Sequence, residues 1–337
     1  MKPDDATLKW LLEEDNPSVR YFALTGLLGK PASDPAVASA KKAIKTTGPV
    51  PAMLAKQEAG GYWGVEQDFY IRAKYKGTVW TIIVLAELGA DISDPRVRQA
   101  GEFILSHAQD KESGGFAYLP GPGGGGDHEK IIPCLSGNMV FSLIRFGMLD
   151  DPRVQQGIEW LTRYMRFDDK DGPAPKGWPY WREPCWGRHT CMMAVAKGLK
   201  ALAEIPPKKR NAAVRRTISN CAEFILKHHV YRRSHDPSRI AKPVWTDFGF
   251  PLMAGTDAVE MLGLLADLGY RDARMEEAID LVKSKRGADG RWLTDKSLNQ
   301  RLLVRLETDG KPSKWVTLKA LRALRRVRRL TDDGIPD

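Results

Sequence analysis

Thr78–Gly89 (TVWTIIVLAELG), Asp94-Pro95-Arg96-Val97, Ala100–His107 (AGEFILSH) and Gly114-Gly115-Phe116 recur further along the chain. The second copy reads Asn138–Gly147 (NMVFSLIRFG), Asp151-Pro152-Arg153-Val154, Gly157–Arg163 (GIEWLTR) and Gly177-Trp178. Each copy is a helical apolar run, a Gly, a Pro-containing turn, a second helical run and a Gly-aromatic loop. Gly89 and Gly147 lie 58 residues apart, the length of one helical hairpin with its connections. A hairpin that cannot bury its apolar face alone must stack on its neighbours, so this period decides the architecture.

The pattern continues. Val195–Ile205 (VAKGLKALAEI) is followed by Cys221–His228 (CAEFILKH), and Asp257–Gly269 (DAVEMLGLLADLG) by Met275–Lys283 (MEEAIDLVK) and the loop Gly287–Trp292 (GADGRW). Leu8–Leu28, around Asn16-Pro17, and Lys314–Val327 (KWVTLKALRALRRV) read as partial units at the two ends. Apolar positions fall three and four apart throughout, and no stretch alternates with period two for long enough to argue a strand. The expectation is an all-α chain, residues 1–337 forming a single domain with partial repeats at both ends.

Lys and Arg number 52 against 42 Asp and Glu, a net charge of +10. Much of the excess sits in Lys208–Arg216 (KKRNAAVRR) and Lys319–Arg329 (KALRALRRVRR). In both runs the basic residues share helices with apolar partners, which reads as a solvated outer face. No recognition helix, zinc finger or ribonucleoprotein motif is present, so no specific nucleic-acid partner is expected. Met1–Asp5 is polar, Leu8–Leu12 is too short for a signal core, and no apolar run reaches the length of a transmembrane segment. With only Cys134, Cys185, Cys191 and Cys221 in the chain, a reducing, cytoplasmic setting is expected.

Gln57–Trp63 (QEAGGYW), Gln109–Phe116 (QDKESGGF) and Lys285–Trp292 (KRGADGRW) resemble the Gln…Gly-x-Trp repeats of squalene and terpene cyclases. They are also similar to the corresponding loops of protein prenyltransferase β subunits. The resemblance covers the chain from about Val50 to Val327. It implies an α/α toroid, in which inner helices line a central cavity and outer helices form a second ring. It further implies a transferase or cyclase that takes an apolar, isoprenoid small molecule as substrate. The same toroid serves lanthionine-forming cyclases, complement-type thioester domains and some polysaccharide lyases, so the fold does not fix the reaction. The Asp-x-Asp-Asp acid of the cyclases is missing. Asp168-Asp169-Lys170-Asp171, the nearest run, falls in a loop after an outer helix and reads as a polar turn. The alternative is a non-catalytic toroid that binds or scaffolds a protein partner through its basic helices.

Pro133-Cys134-x-x-x-Asn138 and Pro184-Cys185-x-x-x-His189 lie 51 residues apart, each leading into an inner-helix run. If the helix runs through both positions, Cys185 and His189 share one face, and Cys134 can add a third ligand from the neighbouring helix. Three such ligands with an open fourth position describe a catalytic zinc site; otherwise they are core cysteines and a hydrogen-bonded histidine. Cys191 joins only if the helix begins after His189. A second group, Asp257 and Glu260, opens an inner run at a spacing of three, suited either to capping the helix or to acid–base catalysis. Trp80, Trp186, Trp245 and Trp315 stand near inner-helix starts and loops, where they would line an apolar substrate site or fill a core. Arg188, Lys197 and Lys314 could meet an anionic head group. His228-His229 and His235 read as an exposed polar patch.

Overall fold

A computed structural model of the chain describes residues 4–71, 74–169, 172, 177–178, 188–295 and 297–332. The chain forms two compact units. The first comprises Met1–Pro51, Ile225–Leu252 and Thr256–Asp337, and the second Ala52–Phe224 with Met253–Gly255. In chain order the helices are α1 (Asp5–Leu11), α2 (Pro17–Phe22, running on as a wider turn over Ala23–Leu27), α3 (Pro35–Ile44), α4 (Pro49–Leu54) and α5 (Thr78–Glu87). They continue as α6 (Pro95–His107), α7 (Pro133–Phe146), α8 (Pro152–Tyr164), α9 (Met192–Ala203) and α10 (Ala212–Lys227), then α11 (Ala258–Asp267), α12 (Glu276–Ser284) and α13 (Lys314–Asp332). The fold is all-α, built of paired inner and outer helices within each unit. No helix among the described residues is long and apolar enough to cross a membrane.

In the second unit α5 packs on α7 and α7 on α9, with α6 and α8 against their outer side. Sequence explains which helices go inside. Every residue of α5 is buried, whereas α8 buries only one stripe, Val154, Gly157, Ile158, Trp160 and Leu161. The α7–α9 contact is backbone against backbone: a Cβ on Gly137 would stand 2.6 Å from the Lys197 carbonyl carbon. Absence of a side chain there is what lets the two inner helices approach.

The outer helices start in a repeated way. Asp94 and Asp151 each accept the backbone N–H two residues on, at 3.0 and 2.8 Å. Each also binds that residue's guanidinium, Arg96 at 2.7 Å and Arg153 at 2.6 Å. Asp272 and Arg274 repeat the pair before α12 at 2.7 Å. Capping satisfies a helix-end donor, and Pro at the first helical position costs no hydrogen bond.

The Gly-aromatic loops are fasteners. Gln57 donates to the Gly61 carbonyl at 3.1 Å and to the Arg96 carbonyl at 2.9 Å; Gln109 does the same to Gly114 at 3.1 Å and Arg153 at 2.7 Å. Gly61 and Gly114 have φ of +86° and +82°. A Cβ there would stand 2.8 and 2.7 Å from the carbonyls of Gln99 and Gln156 on the next outer helix, so a left-handed turn and a close approach both require glycine. The aromatic residue then closes a seam. The backbone N–H of Trp63, Phe116 and Trp292 donates to the hydroxyl of Thr78, Ser136 and Thr317 at 3.0, 2.9 and 3.0 Å, and each hydroxyl lies in the first turns of an inner helix.

In the first unit α11 packs on α13, and α13 packs on α1, α2 and its wider turn. The two ends of the chain thereby meet. Lys314 holds Glu13 at 2.8 Å and Asp15 at 2.6 Å, and Arg286 holds Asp4 at 3.1 Å. The partial end repeats bury one another's open faces. One element departs from the helical expectation: Arg232–Arg233 pairs antiparallel with Asp236–Ile240. This hairpin is too short for its alternation to register in the sequence.

Candidate active site

Asp257 caps α11 in the first unit. Its Oδ1 accepts the N–H of Glu260 at 2.8 Å, and its Oδ2 accepts the N–H of Gly249 at 3.3 Å. The residue is 2 % exposed and Glu260 7 %, so the i, i+3 spacing read from the sequence has brought two carboxylates into one dry place. Burial pushes the Asp257 carboxyl up to about 6. The backbone donor at Glu260 opposes that, the Glu260 charge reinforces it, and Lys319 and the Gly249 N–H oppose it. Desolvation dominates because two backbone donors and one ammonium do not replace the hydration of a carboxylate.

Aromatic rings build the surroundings. Phe250 and Trp315 stack at 4.2 Å with planes 14° apart, and Trp315 meets Phe22 at 6.1 Å. Lys319 Nζ lies 4.8 Å over the Phe250 ring. Asn299 fixes that segment: its amide donates to the Phe250 carbonyl at 2.9 Å, and its Oδ1 accepts the N–H of Leu306 at 2.8 Å and of Glu307 at 2.9 Å. Glu307 is a further, half-buried carboxyl, raised by desolvation and accepting from the Thr294 hydroxyl at 3.1 Å. A carboxyl titrating near 6, with a second carboxyl and an ammonium acting on it, can accept or release a proton near neutrality.

The remaining sequence candidates are placed as follows. Trp80 is buried in the second unit, where its Nε1 donates to the Tyr70 carbonyl at 2.8 Å and its ring packs on Tyr70 and Tyr75. Trp245 is buried in a short 3-10 turn, Pro243–Thr246, with Lys242 Nζ 5.8 Å over its ring. Trp186 and Cys185 lie outside the described residues. Cys134 is the second residue of α7 and half-buried. Lys314 is held by Glu13 and Asp15, Lys197 is buried and Arg188 exposed.

Several local readings are corrected. Helix α9 begins at Met192 with Cys191 as its cap, so His189 precedes the helix and the helical face supposed for Cys185 and His189 does not reach it. His189 Nε2 is 2.9 Å from Asp169 Oδ1, and its Nδ1 is 2.9 Å from the Thr190 carbonyl. Asp169, read as part of a polar turn, is 3 % exposed, because pairing with His189 draws it in. Asp171 lies outside the described residues. His228, read as part of an exposed patch, is buried. Lys319, read as part of a solvated basic face, is half-buried beside Phe250.

No protein-family model matches the chain, and no curated protein matches it. Among solved structures, it is similar to a polysaccharide lyase, with 12% identity, a TM-score of 0.49, and coverage of 97% of this chain and 92% of that one. It is similar to the GH76A alpha-1,6-mannanase of Salegentibacter sp. HEL1_6, with 11% identity, TM-score 0.47 and coverage of 94% and 88%. A type II terpene cyclase, MstE from Scytonema, matches with 13% identity, TM-score 0.35 and coverage of 96% and 99%. At these values the likenesses do not choose a reaction.

Proposed function

We propose that this chain is an enzyme of the α/α-toroid class that moves a proton through Asp257 while an apolar substrate, an isoprenoid in our reading, is cyclised or transferred. The observation that carries it is a carboxyl 2 % exposed, raised to about 6 and set beside Glu260 and Lys319. Protonated, Asp257 is an acid in an apolar setting; ionised, it is a base countered by the Lys319 ammonium. The stacked Phe250 and Trp315 rings suit an apolar body and the face of a developing cation. Zinc held by Cys134, Cys185 and His189 is a separate proposal: it would acidify a thiol or water, no step above runs through it, and elemental analysis of protein purified without added metal tests it.

Asp257 also caps α11, which alone would suffice in a non-catalytic scaffold. Asp257→Asn separates the readings, because Asn caps a helix as well as Asp but carries no exchangeable acid proton. Wild-type protein and the variant are incubated with geranylgeranyl diphosphate, the extract is analysed by gas chromatography and mass spectrometry, and ligand binding is followed by thermal shift. The expected result is product from wild type only, with both proteins stabilised by the ligand. Product from the variant would remove the proton role. Absence of both product and thermal shift in wild type would remove the isoprenoid reading.

A further inference from the structure

The hairpin of the first unit and the turn that follows it are open to solvent along most of their length: Pro237 to Ile240 and Lys242 to Val244 are all exposed. Two branched aliphatic side chains stand on this stretch, Ile240 at 38 % and Val244 at 56 % exposure. A third, Leu293 at 45 %, belongs to the segment beside it. Lys285 ties the two segments together, donating to the Thr246 carbonyl at 2.5 Å and to Asp295 Oδ2 at 2.6 Å. The Asp295 N–H adds a bond to the Phe248 carbonyl at 2.8 Å. Single exposed aliphatics are ordinary on a protein surface, but three on adjoining segments mark a surface that meets something apolar. Cations accompany them. Arg233, Arg239 and Lys242 are exposed, and none of the three is in an ion pair among the described residues; Lys242 holds its ammonium 5.8 Å over the Trp245 ring. The carboxylates of the same segments are engaged or sheltered: Asp236 accepts the Ser238 hydroxyl at 2.5 Å, Asp295 holds Lys285, and Asp247 is half-buried.

We propose that this surface docks on an anionic lipid bilayer. Ile240, Val244 and Leu293 enter the boundary between headgroups and acyl chains, and Arg233, Arg239 and Lys242 meet the lipid phosphates. The two kinds of side chain suit that boundary for different reasons. Aliphatic tips gain by leaving water, while long basic side chains lay their stems along apolar surface and keep their charge at headgroup level. Unpaired cations among exposed aliphatics therefore match a surface with dense negative charge above an apolar layer, which anionic headgroups over acyl chains supply. Attachment is peripheral, because no helix among the described residues is long and apolar enough to cross a membrane. Three aliphatics anchor weakly by themselves, so the electrostatic share decides: binding requires anionic lipid and falls as salt screens it. The proposal concerns the outside of the first unit and is independent of the acid–base reading of Asp257.

The test sediments the full-length protein with vesicles of phosphatidylcholine alone and of equimolar phosphatidylcholine and phosphatidylglycerol, at low and at physiological salt. Wild type is expected to bind the mixed vesicles, more weakly as salt rises, and to leave the neutral ones in solution. Reversing two charges in Arg239→Glu with Lys242→Glu should weaken binding at least about tenfold, and Ile240→Ser with Val244→Ser several-fold. All four positions are exposed, so the fold should survive, as circular dichroism checks. The control is Lys208→Glu with Arg216→Glu, two exposed cations of the second unit, which changes the net charge by the same amount and should leave binding unchanged. Equal loss in the control would trace binding to overall charge and overturn the proposal. So would equal binding to neutral vesicles, no binding to either kind, or full binding by the Arg239 and Lys242 variant.

Discussion

The heads of the inner helices come in two kinds. At α5, α7 and α13 the hydroxyls of Thr78, Ser136 and Thr317 accept the backbone N–H of Trp63, Phe116 and Trp292, and the seam is sealed. At α9 and α11, Thr190 and Thr256 stand just before the cap residue rather than within the helix, and their buried hydroxyls have no hydrogen-bond partner. Each is followed directly by a chemically capable residue, Cys191 and Asp257. A repeat scaffold can thus seal some heads and leave buried hydroxyls at others unsatisfied.

The largest expected effect breaks the sealed heads. Trp63→Ala and Trp292→Ala each remove a fully buried ring whose Nε1 donates across its hairpin, to Met53 at 2.9 Å and to Val282 at 2.6 Å. Chemical denaturation should show a loss of about 3–5 kcal/mol in each case. A loss below about 1 kcal/mol would mean that these loops do not fasten the repeats.

Next comes the open head at α11. Asp257 has its folded pKa raised from 3.8 to about 6. Below the unfolded value both states are protonated and nothing is lost. As pH rises through the window from about 4 to 6 the unfolded chain ionises first, so stability falls and the penalty is complete above the folded value. The shift corresponds to about 3 kcal/mol. Denaturation curves from pH 4 to 7 should therefore show wild type losing about that much relative to Asp257→Asn. Parallel pH profiles would rule it out.

A smaller contrast sharpens the distinction most cleanly. Thr317→Val strips the acceptor from the Trp292 N–H and should cost about 1–3 kcal/mol. Thr256→Val removes a hydroxyl that has no partner in the fold and should be close to neutral. Equal costs at the two positions would erase the division into sealed and open heads. The smallest effect is at the outer turns, where Asp272→Ala removes a half-buried cap and its pairing with Arg274 and should cost about 1 kcal/mol by thermal unfolding.

Much of this was legible in the sequence. The hairpin period, the Asp-Pro starts of α6 and α8, and the Gly-aromatic loops are local signals, because each depends on residues a few positions apart. The Asp257–Glu260 pair was legible for the same reason. Lys319 was not: within its own run it looks like one more basic residue on an amphipathic helix, and only the packing of Phe250 against Trp315 shows that it stands by a carboxylate. Asp169 and His189 are separated by 20 positions and meet through an isolated bridge, which no helical spacing anticipates. The start of α9 was left open by the sequence, either before Cys185 or after His189; the helix begins at Met192. The unpartnered Thr190 hydroxyl gave no sequence signal, since it is a property of the assembled fold.

The most direct measurement is the titration of the Asp257 carboxyl by carbon-13 NMR, with its resonance assigned by its loss in Asp257→Asn. An inflection near pH 6 is expected from its burial. An inflection near the ordinary 3.8 would show a solvated helix cap and contradict a proton-transferring role.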